Sequence, residues 1–294
     1  MEGMPAVAAA GAEVIETRLG AVECARSGHG PAVLLLHGAM GGWDQAIMLG
    51  RLAIGGGEFE WVAPSRPGYL GTPLAIGRTA EQQADLYAAL LDELGIGEAG
   101  VAAVSAGGPS ALQFALRHPG RCRGLVLISA CSSRLEVRPP LNFYLLLLLA
   151  RFPSMVRRMS RRVESDPDSA ARRAMPDPAL RAMVLNDPEV APMFRENQLD
   201  TVRRMHERLA GTRNDIAQTR KEFVYPVEQI AAPSLIVHGV EDRVVPFAQS
   251  QSLAARIPGA ELLAIAGGAH ISLFAHRRII QPRVAAFFRS QLVR

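Results

Sequence analysis

Five short apolar runs constrain this chain more than any other feature: 32–36 (AVLLL), 101–104 (VAAV), 125–128 (LVLI), 234–237 (SLIV) and 262–265 (LLAI). A continuous apolar run of four or five residues suits a strand buried on both faces, and such strands belong to parallel sheets whose two sides are covered by helices. Helical patterns lie between them. Thr79 and Gln82 form a T-x-x-Q capping box ahead of a stripe of Tyr87, Leu90, Leu91 and Leu94, with Gly95 placed for a C-terminal cap. A second helix follows 101–104 and stops near His118-Pro119-Gly120, a third runs near 249–257, and a last one carries Val284, Phe287 and Phe288 on one face. Strands alternating with helices predict an α/β fold with a doubly wound, mostly parallel sheet. Two alternating segments meeting at Leu19-Gly20 read as a hairpin at its start, and 61–63 reads as a further short strand.

The rhythm breaks between about 135 and 225. This stretch is arginine-rich, is interrupted by Pro139, Pro140, Pro153, Pro167, Pro176, Pro178, Pro188 and Pro192, and has no β-branched runs. Several short helices are expected there. The predicted organisation is a core of 1–134 and 226–294 split by a helical insert of 135–225.

A chain of 294 residues with 49% apolar and 20% charged residues can bury a sizeable core and is not disordered. The net charge of +4 comes from arginine, Lys221 being the only lysine, and no basic run is interleaved with aromatics, so nucleic acid is not an expected partner. Cys24, Cys122 and Cys131 are odd in number and scattered, which fits neither a disulfide framework nor a zinc site. The N-terminal stretch begins acidic and lacks the basic-then-apolar order of a secretory signal. The longest apolar run, 143–150 (FYLLLLLA), is far short of the ~20 residues that span a bilayer. A cytoplasmic protein without a membrane span is expected. Oligomeric state is not legible.

In an open parallel sheet, reactive groups collect at the carboxyl ends of the strands. Four groups fall there: His37-Gly38-Ala39-Met40, Ser105, Glu241-Asp242 and His270. A serine hydroxyl needs an adjacent base to become a nucleophile, and histidine titrates close to working pH. A carboxylate steadies the imidazolium that forms. Attack on a carbonyl creates an oxyanion that needs preset N–H donors. Ser105 could instead be a plain helix N-cap. Of the other histidines, His276 fits a surface position at a helix start, His37 and His238 fit structural roles beside glycines, and His29, His118 and His206 have no evident partner. Asp85 and Asp92 read as a solvated helix face. Either Glu241 or Asp242 could supply the acid.

In the segments LLLHGAM (34–40), SRPGYLGT (65–72), VSAGG (104–108), HGVEDRVVP (238–246) and GGAH (267–270), the chain resembles the α/β-hydrolase superfamily over nearly its whole length. The resemblance implies a triad with Ser105 as nucleophile, His270 as base and Asp242, selected by the G-x-x-D spacing from Gly239, as the orienting acid. It implies oxyanion donors in the backbone amides of Ala106 and Ala39, with Met40 as the alternative to Ala39. No cofactor or metal is implied. Two departures stand out. The elbow G-x-S-x-G has Ala103 in its first position, and the loop that often opens with Asp opens with Ser65. A structural turn is the expectation for that loop; Arg66 could pin it through an ion pair whose partner the sequence does not disclose. Cys131 reads as a small apolar filler.

The insert resembles the helical cap of many relatives. Its segment LNFYLLLLLARF is equally an apolar roof or ordinary helix packing, and RRMSRR at 157–162 reads as a solvated face. The expected activity is cofactor-independent hydrolysis of a mainly apolar carboxylic ester, a small molecule, through an acyl-enzyme. C–C bond hydrolysis, cofactor-free lyase chemistry and ligand binding without turnover are the alternatives on the same scaffold. An aspartate nucleophile is excluded by Ser105, and a nucleotide-binding domain by the lack of a G-x-G-x-x-G or Walker loop.

Overall fold

A computed structural model describes residues 11–136 and 141–293. Pro139, Pro140 and the N-terminal stretch 1–10, on which the sequence carries expectations, lie outside the described residues.

Eight strands form one sheet: β1 Glu13–Thr17, β2 Gly20–Ser27, β3 Ala32–Leu36, β4 Glu60–Pro64, β5 Ala99–Val104, β6 Cys122–Ile128, β7 Ser234–Gly239 and β8 Glu261–Ile265. Their order is β1-β2-β4-β3-β5-β6-β7-β8. The β1–β2 hairpin and the β2–β4 pair are antiparallel, and every later pair is parallel. The hairpin thus caps the open edge of a parallel sheet, and the apolar runs of the sequence are its central strands.

Side chains alternate between the faces of a strand. Leu34, Leu36, Val101, Ala103, Leu125, Leu127 and Ile236 pack toward α2 (Ala80–Glu93), α3 (Gly108–Arg117) and α10 (Phe247–Arg256). Val33, Leu35, Ala102, Val126, Ile128, Leu235 and Val237 pack toward α1 (Trp43–Ala53) and α12 (Arg277–Leu292), where Val284, Phe287 and Phe288 present the expected apolar face. Two cores on two faces make the sheet doubly wound. The Thr79 capping box is formed at the start of α2, with both reciprocal bonds present. α10 begins two residues before the expected 249, because Pro246 supplies an extended N-cap that turns directly into it.

Between β6 and β7 the described chain contains no strand. It forms α4 (Leu141–Leu149), α5 (Pro153–Ser165), α6 (Pro167–Ala174), α7 (Pro178–Leu185), α8 (Val190–Arg203) and α9 (Leu209–Thr219). Proline stands at the first turn of α5, α6 and α7, where its missing N–H costs nothing. These helices join the second core through Met175, Leu180, Val184 and Phe194; Phe194 meets Phe274 of the short helix α11 (Ser272–Ala275) edge to face at 5.4 Å. The insert therefore sits beside the loop that leads into α11. Among the described residues, no helix is long and apolar enough to cross a membrane.

Candidate active site

β5 is buried from Ala99 to Ala103, half-buried at Val104, and delivers Ser105 at its carboxyl end. Ser105 has φ 53°, a left-handed conformation that costs a non-glycine residue about 1–3 kcal/mol. A single 3-10 turn, Ser105–Gly107, then leads into α3. The turn is tight enough that a Cβ on Gly107 would stand 2.8 Å from the carbonyl oxygens of both Leu36 and His37. β3 and β5 are neighbours in the sheet, so the loop after β3 lies against this turn: a Cβ on Gly38 would come within 3.1 Å of the Ser105 Cβ.

His270, between β8 and α11, places Nε2 3.0 Å from Ser105 Oγ and Nδ1 2.8 Å from Asp242 Oδ2. Because the carboxylate can only accept, Nδ1–H donates to Asp242 and Nε2 is left to accept the serine proton. The imidazole is 24% exposed and the Asp242 side chain 0%. Two sequence-remote loops, after β7 and after β8, are thus joined at one carboxylate. Asp242 Oδ1 accepts the amides of Val244 and Val245 at 2.8 and 3.0 Å. Burial opposes its ionisation, but the hydrogen bonds from His238, His270 and Val244 outweigh this and hold the carboxyl well below the usual carboxylate range. Glu241, the competing acid of the sequence, is exposed.

His238 has a partner that sequence reasoning missed. It is fully buried, with Nε2 3.2 Å from Asp242 Oδ2 and 3.0 Å from the Val245 carbonyl, and Nδ1 2.6 Å from Ser250 Oγ. Its structural role therefore bears directly on the acid. His37 is also fully buried; its Nε2 accepts the Arg66 amide at 2.9 Å and its Nδ1 lies 2.7 Å from the Gly38 carbonyl. Burial and the adjacent Arg66 charge push its pKa well down and keep it neutral. His276 stands at the start of α12 as expected, but it is half-buried rather than at the surface, its Nε2 is buried with no partner among the described residues, and its side chain makes no capping bond. His118 does have a partner, Asp85, at 2.9 Å; Asp85 also pairs with Arg117, and Asp92 with Arg121, so this helix face is ion-paired rather than merely solvated.

In the 37–40 loop, Ala39 is exposed, and among the described residues its amide donates to no protein acceptor. Ala106 is 7% exposed and lies in the first turn of the 3-10 helix, where an amide has no partner within the helix. Met40 is left-handed (φ 60°), and its carbonyl accepts from Gln45 Nε2 at 3.2 Å and from Arg208 Nη1 at 3.0 Å.

The hidden partner of Arg66 is Asp215 on α9. Nη2 reaches Oδ1 at 2.7 Å and Nη1 reaches Oδ2 at 3.0 Å, with both side chains more than nine-tenths buried; the Tyr69 hydroxyl bonds the same carboxylate at 2.5 Å. Ser65 is buried and bonds Glu23 at 2.8 Å, a structural turn as expected. Cys131 is buried and its thiol is pushed up to about 12 by desolvation, in keeping with a filler. Among the described residues no cluster of His, Cys, Asp and Glu is arranged to hold a metal ion. The apolar segment in α4 splits its roles: Leu147 is buried, whereas Leu141, Leu145 and Leu148 are exposed. A cavity of about 470 Å³ between α4 and α9 is lined by Tyr144, Leu147, Arg213 and Ile216 among others, and by none of the side chains that meet at Ser105.

The chain as a whole is similar to proteins already described. An α/β hydrolase fold protein from Nakamurella multipartita is 31% identical, with a TM-score of 0.75 over 95% of this chain and 99% of its own. Among curated relatives, a 2-hydroxy-6-oxononadienedioate/2-hydroxy-6-oxononatrienedioate hydrolase of Burkholderia vietnamiensis is 25% identical, covering 72% of this chain and 70% of its own length. A pimeloyl-[acyl-carrier protein] methyl ester esterase of Xanthomonas oryzae is 28% identical, covering 90% and 97%. Residues 31–276 match the α/β hydrolase fold family, and with the sheet order and these relatives this establishes the chain as a member of that family, a hydrolase of the α/β fold.

Proposed function

We propose that the protein is a cofactor-independent serine hydrolase that cleaves a mainly apolar carboxylic ester through an acyl-enzyme. One observation carries the reading: His270 stands within hydrogen-bond distance of Ser105 Oγ on one side and of Asp242 on the other. In the first half-reaction Nε2 takes the Ser105 proton as Oγ bonds to the ester carbonyl carbon. The carbonyl oxygen becomes an oxyanion, which the amides of Ala106 and of Ala39, or Met40 in its place, are placed to stabilise. Collapse of the tetrahedral intermediate breaks the bond to the alkoxy oxygen, which leaves with the proton from His270. Water then gives a proton to Nε2 and attacks the acyl carbon, and the acid is released with Ser105 reprotonated. Asp242, ionised by its hydrogen bonds, steadies the imidazolium in both halves. The helices from α4 to α9 act as a cap over this site, and the substrate is a small molecule.

Relatives of the chain include methyl ester esterases and 2-hydroxy-6-oxononadienedioate hydrolases, so a diketone is kept as the second reading beside the ester. A panel of p-nitrophenyl esters, thioesters and vinylogous diketones, run with wild type and Ser105→Ala, separates the two. Ester turnover and fluorophosphonate labelling that both vanish in Ser105→Ala are the expected result. Full ester turnover by Ser105→Ala would overturn the mechanism, and labelling without turnover of any substrate would point to a binding protein.

A further inference from the structure

We infer that Arg208, carried by the insert, is a positioning residue for the oxyanion loop: it holds the Met40 carbonyl and so fixes the orientation of the amides just before it. The inference rests on the serine-hydrolase reading above and adds to it a requirement for the insert in catalysis, beyond covering the site.

Met40 is a non-glycine residue with φ 60°, a conformation that persists only where surrounding contacts hold it. Those contacts come from the insert and from Gln45 of α1. Arg208 Nη1 donates to the Met40 carbonyl at 3.0 Å. Gln45 Nε2 donates to the same oxygen at 3.2 Å and is itself anchored on Thr201 of α8 at 3.0 Å. Thr212 of α9 reaches the Met40 sulfur at 3.2 Å. With two donors on one carbonyl, the Met40–Gly41 peptide cannot flip without losing both, and φ of Met40 cannot relax without rotating the Ala39–Met40 peptide. Gly38, at the start of this turn, lies against Ser105, so the amides in question are the ones beside the nucleophile.

Arg208 is placed at a cost. It is 0% exposed, its Nε–H has no acceptor among the described residues, and its charge is met by Asp44 of α1 through Nη2. Burying a guanidinium is expensive and gives no net stability over an apolar pair of the same volume. The fork meets Asp44 through both arms, Nη1 reaching Oδ1 at 3.4 Å, and Nη1 lies closer, at 3.0 Å, to the carbonyl of the strained Met40, so the guanidinium ties the counter-ion and the oxyanion loop together.

The test compares wild type with Arg208→Met/Asp44→Leu, which removes the clamp without leaving a buried carboxylate unpaired, and with Gln45→Leu, which removes the second donor and changes no charge. Each is assayed for kcat and KM on a p-nitrophenyl ester and for affinity toward a trifluoromethyl ketone, which forms the tetrahedral adduct; thermal melting reports folding. Loss of an oxyanion contact costs about 10²–10³ in rate, and loosening one costs less, so the double variant is expected to lose about 10- to 100-fold in kcat at unchanged KM. Ketone affinity should fall by the same factor, and Gln45→Leu should show a smaller loss in the same direction. If the double variant does not fold, Gln45→Leu decides alone. A folded variant with wild-type kcat and ketone affinity, or with a raised KM alone, overturns the inference. Ser105→Ala run alongside separates the two failures: if it is inactive while the clamp variants are unimpaired, only the positioning role falls; if it is fully active, the hydrolase reading falls and the positioning role with it.

Discussion

Four groups converge on the Asp242 carboxylate. Two backbone amides occupy one oxygen and two imidazoles face the other, so the ionised form is favoured despite burial. A carboxyl whose folded pKa lies below its unfolded value contributes stability that is complete above the unfolded pKa, about 4, and is lost as pH falls through the folded one. Asp242→Asn lacks that contribution at every pH. The gap in melting temperature between wild type and Asp242→Asn should therefore be wide at pH 7 and narrow steadily below about pH 4. A gap that stays constant or widens on acidification would show that the charge is not what stabilises the loop after β7. The same variant should lose about 10⁴-fold in kcat, the scale of a carboxylate-to-amide change in a serine triad, since an amide can hold the wrong imidazole tautomer.

At the scale of elements, the turn from β5 into α3 is where sequence and packing are most tightly bound. Gly107 has no room for a Cβ against the Leu36 and His37 carbonyls, and backbone there cannot yield without moving β3. Gly107→Ala should destabilise the fold by about 1–3 kcal/mol, the cost of overpacking a rigid site, and should depress activity because the shift falls on Ser105. A denaturant midpoint equal to wild type would show that the turn is looser than its contacts imply. Such local features were legible in the sequence: the apolar runs, the T-x-x-Q box of α2 and the A-x-S-x-G-G turn all declare themselves within a few residues. Ser105 and His270 stand out in the sequence because each follows a strand, whereas the strand end alone does not choose between Glu241 and Asp242, and only the G-x-x-D spacing implied by the resemblance does. Ala103, the departure from the usual elbow, is accommodated as a fully buried residue of β5. The contacts that could not be read are long-range and aperiodic. Arg66 meets Asp215 across 149 residues, and Arg208 meets Asp44 across 164. His238 looked structural because nothing local shows that the chain turns back, four residues later, to set a carboxylate against its ring.

Taken as a whole, the molecule joins core and insert through polar groups as well as apolar ones. The insert shares the second core through Phe194 and its neighbours, and beside the site it is held by the Arg208–Asp44 pair and by the Arg66–Asp215 pair, with the Tyr69 hydroxyl on the latter carboxylate. Arg66 also donates to the His37 carbonyl at 3.3 Å, so one guanidinium ties α9 to the strand-end loop next to Ser105. Burial works against its charge, and Asp215 more than offsets this, which keeps the guanidinium charged. Breaking a buried pair from one side leaves the other charge stranded, at a cost of about 3–5 kcal/mol, whereas replacing both partners by apolar groups of similar volume is close to neutral. Asp215→Ala should accordingly lose about 3–5 kcal/mol by urea denaturation, and Arg66→Met/Asp215→Leu should recover most of it. The recovered double variant is the informative one. Its stability would be near that of wild type, yet the directional bonds from Arg66 to His37 and from Tyr69 to α9 would be gone, so a fall in kcat without a fall in melting temperature is expected. Equal stability and equal turnover in that variant would mean that apolar packing alone registers the insert against the core.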